Sequence, residues 1–276
     1  MEDIYIVCVL YNKEITDIAS YEIFLNTVQR HQNVHCIIVD NSNEEYVIRN
    51  QKYAENQDDI SYICCNGNAG LSGAYNQGLR MIKTETDDAF MMIADDDTIF
   101  SDAYMECLVH ACEQGKNDVY SGIIHDKNGK CLSPNSAFDW LGRDKYAIQQ
   151  PGVYDNIYCF NSGICINIAL LDLIGGFEER LFVDMIDYWL MDTLKANGKN
   201  RVCIVSGEIL QDFSATTFND LEAVLRRYHI FKKDFEMYCN ICNKGNVFKW
   251  YYGNRRKINV LFHILIKGRF DLVKEL

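Results

Sequence analysis

Four times in the first hundred residues, a short apolar run of strand length ends abruptly in polar side chains. Ile4 to Leu10 runs into Tyr11-Asn12-Lys13. Cys36-Ile37-Ile38-Val39 runs into Asp40-Asn41-Ser42. Ile60 to Cys65 precedes Asn66 and Asn68, and Ala89 to Ala94 precedes Asp95, Asp96 and Asp97. Between the runs lie stretches of helical spacing. Ile18 to Gln29 carries Ile18, Tyr21, Phe24, Leu25 and Val28, and Gly70 to Lys83 forms a second such stretch. Continuous apolar strands alternating with amphipathic helices imply a mostly parallel sheet covered on both faces. Ligands of such sheets bind beyond the carboxyl ends of the strands. The four polar tips should therefore gather along one edge and form a cleft.

Three adjacent carboxylates at residues 95–97 repel one another unless a positive charge faces them. Oxygen ligands of this kind suit Mg²⁺ or Mn²⁺. The plainer alternative is a helix N-cap with extra acid in the first turn. Residues 66–78, NGNAGLSGAYNQG, place small side chains at Gly70, Gly73, Ala74 and Gly78. Small residues let a helix approach a sheet or a ligand closely. A dinucleotide-binding fingerprint fits poorly, because that motif follows the first strand and this one follows the third. An NAD-linked oxidoreductase is disfavoured for the same reason.

Taken together, VLYN at 9–12, IIVDNS at 37–42, NAGLSGAYNQG at 68–78, ADDDT at 94–98, NSGICIN at 161–167 and GGFEERLFVDMIDYW at 175–189 resemble the inverting, nucleotide-sugar-dependent family-two glycosyltransferases. The likeness is to bacterial rhamnosyltransferase-like members and covers roughly the first 215 residues. It implies an α/β GT-A (nucleotide-diphospho-sugar transferase) fold with a Rossmann-like, mostly parallel sheet. The implied donor is a nucleoside diphosphate sugar, a UDP- or dTDP-sugar. Asp95 and Asp97 match the Asp-x-Asp pair that faces the metal and the donor diphosphate, with Asp96 between them in the donor site. Tyr11, Asn12 and Asp40 match base and ribose contacts, and Asn68 and the Gly70 helix start would lie near the nucleotide. For these residues, ordinary turn chemistry at strand ends is the alternative.

Sugar transfer with inversion needs a carboxylate to accept the acceptor's proton, from a part of the chain other than the one facing the diphosphate. FVDMIDYWLMDTLKANG supplies Asp184, Asp187 and Asp192 among apolar neighbours that raise a carboxylate's pKa. Asp184 and Asp187, three apart, would share a face if both lay on a helix, and Asp192 reads as a solvated helix residue. The resemblance places the base at Asp187, with Asp184 orienting it or the acceptor. Gly175-Gly176 would make a turn lining the acceptor entrance, and Asn161-Ser162-Gly163 would stand near the sugar. Many relatives carry a metal-binding His about twenty residues after the base. Here Gln211-Asp212 occupies that region, and Asp212 could supply another oxygen ligand. The Gln-x-x-Arg-Trp signature of processive synthases is absent, which favours a single-addition enzyme. A non-catalytic sugar-nucleotide or glycan-binding module on the same fold is the alternative.

The formal net charge of −12 over 276 residues makes nucleic acid a poor partner. That charge is unevenly spread. Residues 244–276 hold eight Lys or Arg and two Asp or Glu, a local +6, which leaves −18 on the other 243 residues. Lys249, Arg255, Arg256, Lys257, Lys267 and Arg269 are mixed with Phe248, Trp250, Tyr251, Tyr252 and the run Val260-Leu261-Phe262. Such a segment can lie on an anionic membrane surface or pack on the domain with a solvated basic face. The expected organisation is a GT-A catalytic domain over residues 1–219 and a helical, basic extension over 220–276. No apolar run approaches a membrane span, the start has no signal-peptide pattern, and the twelve scattered cysteines suggest a reducing, cytoplasmic setting. The expected partners are the donor and a saccharide or lipid-linked saccharide acceptor of cell-surface polysaccharide synthesis.

Overall fold

The computed structural model describes residues 2–136, 146–211 and 220–276. Twelve strands are present among them. The expected runs appear as β1 (Asp3–Leu10), β2 (Val34–Asp40), β3 (Ser61–Cys64) and β4 (Ala89–Asp95). Then follow β5 (Ile99–Phe100), β6 (Val119–His125), β7 (Cys131–Ser133), β8 (Asn135–Ser136), β9 (Gly152–Asp155), β10 (Ile157–Tyr158), β11 (Cys165–Asn167) and β12 (Arg201–Leu210). The main sheet has the order β3-β2-β1-β4-β11-β6-β12-β5. Its first four strands are parallel, β11 runs antiparallel between β4 and β6, and β12 is again parallel to β6. This is a mixed, mostly parallel α/β sheet.

The helices are α1 (Tyr21–Arg30), α2 (Glu44–Ala54), α3 (Gly70–Glu85), α4 (Asp102–Glu113), α5 (Ile168–Ile174), α6 (Ile186–Ala196), α7 (Leu221–Ile241) and α8 (Asn246–Ile266). Sequence periodicity finds α1 and α3 but passes over α2. That helix buries little besides Asn50 and Ala54 and leaves Ile48 exposed, so its apolar stripe is too weak to see.

Side chains of β1 alternate between two cores, as strand geometry requires. Tyr5, Val7 and Val9 face one layer; Ile4, Ile6, Cys8 and Leu10 face the other. The second layer is closed by Phe24 of α1 and by Tyr104, Met105 and Leu108 of α4. The first contains Ala74, Tyr75 and Leu79 of α3 and Trp189 and Leu190 of α6. It continues without a break into Leu225, Tyr228, Phe231, Phe235 and Tyr238 of α7 and Val260 and Ile264 of α8. The helical extension therefore shares a core with the sheet. Gly78 explains part of the small-residue pattern. A Cβ there would stand 2.6 Å from Val7 Cγ1, so its absence lets α3 lie against β1.

Among the described residues, no helix is long and apolar enough to cross a membrane.

Candidate active site

Tyr11, Asn41, Asn68 and Asp95 to Asp97 line one cleft of about 870 Å³, as the strand-end rule requires. Asn161, Asp184, Met185, Asp187, Tyr188 and Gln211 line it too. Its remaining wall comes from the extension: Val224, Arg227, Tyr228 and Phe231 of α7, and Tyr252, Arg255, Arg256, Asn259 and Val260 of α8.

The three consecutive aspartates have different surroundings. Asp95 accepts hydrogen bonds from the Tyr75 hydroxyl at 3.1 Å and from Gln211 Nε2 at 3.3 Å. Its N–H donates to Ser162 Oγ at 3.1 Å, and that hydroxyl donates to Thr98 Oγ1 at 2.8 Å. Burial, then the charge of Asp97, pushes the Asp95 carboxyl up to about 7, against the Tyr75 hydrogen bond. Asp97 is exposed as a residue, but its carboxyl is partly desolvated by the cleft wall, and that desolvation, then the neighbouring Asp96, raises its pKa. Asp96 is already engaged, since Lys13 Nζ pairs with one oxygen and the Tyr11 N–H donates to the other at 3.0 Å. The run is therefore more than a helix cap: Asp96 ties the ends of β1 and β4 together, while Asp95 and Asp97 keep oxygens toward the cleft.

The residues expected to meet a nucleotide divide into two groups. Tyr11 (47 % exposed) and Asn68 stand on the cleft. Asp40 does not: it is fully buried, and its oxygens accept from Asn50 Nδ2 at 2.7 Å, the Tyr62 hydroxyl at 2.8 Å and the Ser42 N–H at 3.0 Å. A carboxylate with three internal donors supports the loop that follows β2. Asn12 likewise bridges loops. Its N–H donates to Ser42 Oγ at 2.7 Å and its Oδ1 accepts from the Asn43 N–H at 3.0 Å. Asn41, absent from the expected donor contacts, lines the cleft and holds the next loop. Its Nδ2 donates to Asn68 Oδ1 at 3.0 Å, and its Oδ1 accepts from the Ala69 N–H at 2.7 Å.

Gly70 packs closely against the acidic segment. Its φ is +74°, and a Cβ would stand 2.6 Å from both Phe182 Cδ2 and the Phe182 carbonyl oxygen. The adjacent Leu71 N–H donates to that carbonyl at 2.6 Å. Asn76, further along the same helix, clasps residue 177 on both sides: Nδ2 donates to its carbonyl and Oδ1 accepts from its N–H, each at 2.8 Å. Gly175 and Gly176 take the expected turn, with φ of +82° and +80°. The glycine-rich helix thus docks the acidic segment 175–187 against the sheet.

That segment is held from its other side by α7. Asp234, fully buried, accepts from the N–H groups of Phe182 (3.0 Å), Val183 (2.9 Å) and Asp184 (2.8 Å). Arg227 grips the Asp184 carboxylate at both oxygens. Met185 then adopts φ +65°, unusual for a side chain of this size, and caps α6. Asp187 follows in the first turn, where the Tyr188 N–H donates to it at 2.8 Å. Burial pushes the Asp187 carboxyl up to about 7, opposed by that N–H and reinforced by Asp184. Asp192 is not solvated as expected. Tyr158 and Tyr238 hydroxyls donate to it at 2.7 and 2.6 Å, and Lys244 pairs with it at 2.6 Å, so it joins α6 to α7.

Asp234 was legible in principle. It interrupts the apolar stripe Leu225, Tyr228, Phe231, Phe235, Tyr238, and an acid on such a stripe is buried. The extension's bases also go elsewhere than a uniform membrane-facing surface. Arg255 and Arg256 line the cleft, Lys249 and Lys257 line a groove between α7 and α8, and Arg269 pairs with Asp271 at 2.8 Å.

Among the described residues, no group of three or more His, Cys, Asp and Glu side chains is poised around a metal position. The chemistry of the donor set still fits a hard cation. Asp95 and Asp97 present oxygens, and buried Gln211 Oε1 and Asn161 Oδ1 have no hydrogen-bond partner. Asp212 lies outside the described residues.

Several known proteins resemble this chain in fold. One solved neighbour, a crystal structure of GalNAc-T7 with UDP, GalNAc and Mn²⁺, superposes with a TM-score of 0.60 at 11% identity. The match covers 91% of this chain but 56% of that one, so the present chain spans little more than half the neighbour's length. No curated protein matches at the sequence level. The family model for glycosyl transferase family 2 matches residues 6–167, more than half of the chain and including the glycine-rich helix and the aspartate run. On that match, and with a GT-A-type sheet carrying its cleft at the strand ends, the chain belongs to glycosyl transferase family 2.

Proposed function

We propose that the protein transfers one sugar, with inversion, from a nucleoside diphosphate sugar to a hydroxyl of a saccharide or lipid-linked saccharide. One observation carries this: Asp187 and the Asp95–Asp97 run, some ninety residues apart, line a single cleft. A single displacement needs that separation of roles. Asp187 takes the proton from the acceptor hydroxyl as its oxygen bonds to the anomeric carbon. The bond from that carbon to the diphosphate oxygen breaks, and the nucleoside diphosphate leaves with the electron pair. A carboxyl pKa near 7 suits a general base at neutral pH. Asp184, locked by Arg227, positions the segment that carries the base.

Asp95 and Asp97, with Gln211 as a further oxygen, are the residues that would hold Mg²⁺ or Mn²⁺. Such an ion supplies charge neutralisation for the departing diphosphate. Tyr11, Asn41 and Asn68 bind the nucleotide end, and Asp40, Asn12 and Gly70 shape the loops around it. A catalytically silent binding module would have no use for a buried, proton-accepting Asp187.

The protein is proposed to work in the cytoplasm, touching an anionic membrane through α8. That helix exposes Trp250, Ile258, Phe262, Leu265 and Ile266, followed by exposed Phe270, within the segment of net +6. Two copies meeting through this face would bring like charges together, whereas anionic lipid complements it.

The test is a thermal-shift panel of nucleoside diphosphate sugars with and without Mn²⁺, followed by donor hydrolysis and transfer assays. Donor at about 100 times its Kd should stabilise the protein by about 2.7 kcal/mol. No shift with any donor, together with no hydrolysis, overturns the assignment.

A further inference from the structure

The sequence sets Arg255 and Arg256 beside aromatic residues, on a face read as meeting either a bilayer or solvent; the fold turns both into the cleft. The cleft carries five aspartates, at 95, 96, 97, 184 and 187, and three arginines, at 227, 255 and 256. These arginines are not equivalent. Arg227 is committed to Asp184, which it grips at both oxygens. Among the described residues, no carboxylate forms an ion pair with Arg255 or Arg256.

Arg256 is partly stripped of water. Its guanidinium lies 4.3 Å above the Phe231 ring, and burial lowers its pKa. An arginine stays charged under such conditions, so it holds a poorly hydrated cation on an aromatic face. Asp184 is near enough to oppose that shift, but its oxygens are already taken by Arg227. Arg255, on the same wall, is exposed. Both residues line the cleft, and guanidinium forks suit the oxygens of a phosphate or diphosphate. The aspartates at the strand ends would repel the same group.

We propose that Arg255 and Arg256 form a diphosphate-binding subsite on the wall of the cleft built by the C-terminal helices. The inference deepens the glycosyl-transfer reading, and rests on it for which substrate brings the group. Two substrates could do so: the donor, through its diphosphate, or an acceptor carrying a phosphate or diphosphate of its own.

Inorganic diphosphate titrated calorimetrically into the full chain in EDTA tests the subsite without any turnover. The wild type should bind. Arg255→Gln should weaken binding about tenfold and Arg255→Gln/Arg256→Gln more, the usual scale for hydrogen bonds to charged groups. Arg256→Lys, which keeps the charge but loses the fork and its stacking on Phe231, should weaken binding less than the double variant does. Loss of the Arg256 contact with Phe231 could unfold the double variant; Arg255→Gln alone, at an exposed position, then decides. Absence of wild-type binding, or equal binding by Arg255→Gln, overturns the subsite. In transfer assays, a tenfold rise in the donor KM of Arg255→Gln assigns the group to the donor. A rise confined to the KM of a phosphorylated acceptor assigns it to the acceptor, and no change in either overturns the proposal. If no transfer is found at all, the titration still reports on the subsite, so the two failures are distinguishable.

Discussion

The Asp234 carboxylate on α7 accepts the backbone N–H of Asp184 at 2.8 Å, as the third of three consecutive N–H groups that it holds. Through this contact a helix outside the family-matched region sets the position of the segment that leads into Asp187. Asp234→Ala leaves three N–H groups without their acceptor, at about 1–3 kcal/mol for each one buried. Expected is a loss of at least about 2 kcal/mol in urea unfolding, with kcat falling more than donor affinity. Unchanged stability and kcat would show that the segment holds its shape without α7.

Asp187→Asn removes the proton acceptor and keeps the shape. Transfer should fall by about 10²-fold or more, while donor affinity stays near the wild-type value. Equal loss of donor binding would move Asp187 out of the base role. In the wild type, the rate should rise with pH up to about 7 and then level off, since the base works when ionised. The stability contribution has the opposite slope. A folded-state pKa raised from 3.8 to about 7 means that the folded state binds the proton more tightly, so stability falls as pH rises between those values. Asp187→Asn should abolish this part of the slope and melt at or above the wild-type temperature at pH 8.

Asp97 is exposed and has little packing to lose. Asp97→Ala should therefore leave the melting temperature within about 0.5 kcal/mol equivalent of wild type and abolish transfer. The Mn²⁺-dependent part of the donor-induced thermal shift should disappear with it. Wild-type turnover undiminished by excess EDTA would sink the metal assignment.

Gly70→Ala tests whether the helix start serves packing. Its φ of +74° disfavours any side chain, and the new Cβ would collide with the Phe182 carbonyl. Destabilisation of about 1–3 kcal/mol is expected, together with a lower kcat as residues 182–187 shift. A variant as stable as wild type, with only donor KM raised, would place Gly70 at the nucleotide instead.

The exposed face of α8 should bring the protein down with anionic vesicles at low salt, not with neutral ones, and salt should weaken the binding. Phe262→Ser at a 61 % exposed position should reduce sedimentation without altering the fold. A wild type that ignores anionic vesicles would leave this face to a protein partner.

The sheet was legible because strands buried on both faces must be continuously apolar, and Ile4–Leu10 and Ala89–Ala94 carry that pattern in the letters alone. The strand-end rule then brought Tyr11, Asn41, Asn68 and Asp95–Asp97 to one edge, since parallel strands end together. What the sequence could not settle were partners that depend on contacts between distant segments. Asp40 and Asp95 both follow apolar strands, yet only the fold shows that Asn50, Tyr62 and Ser42 saturate the first while the second stays open to the cleft. Asp192 looked like a surface acid until Tyr158, Tyr238 and Lys244 enclosed it. The basic tail was read from its composition, which is blind to direction. Packing of Val260 and Ile264 into the core fixes the rotation of α8, and that rotation turns Arg255 and Arg256 into the cleft while leaving Ile258 and Phe262 in solvent.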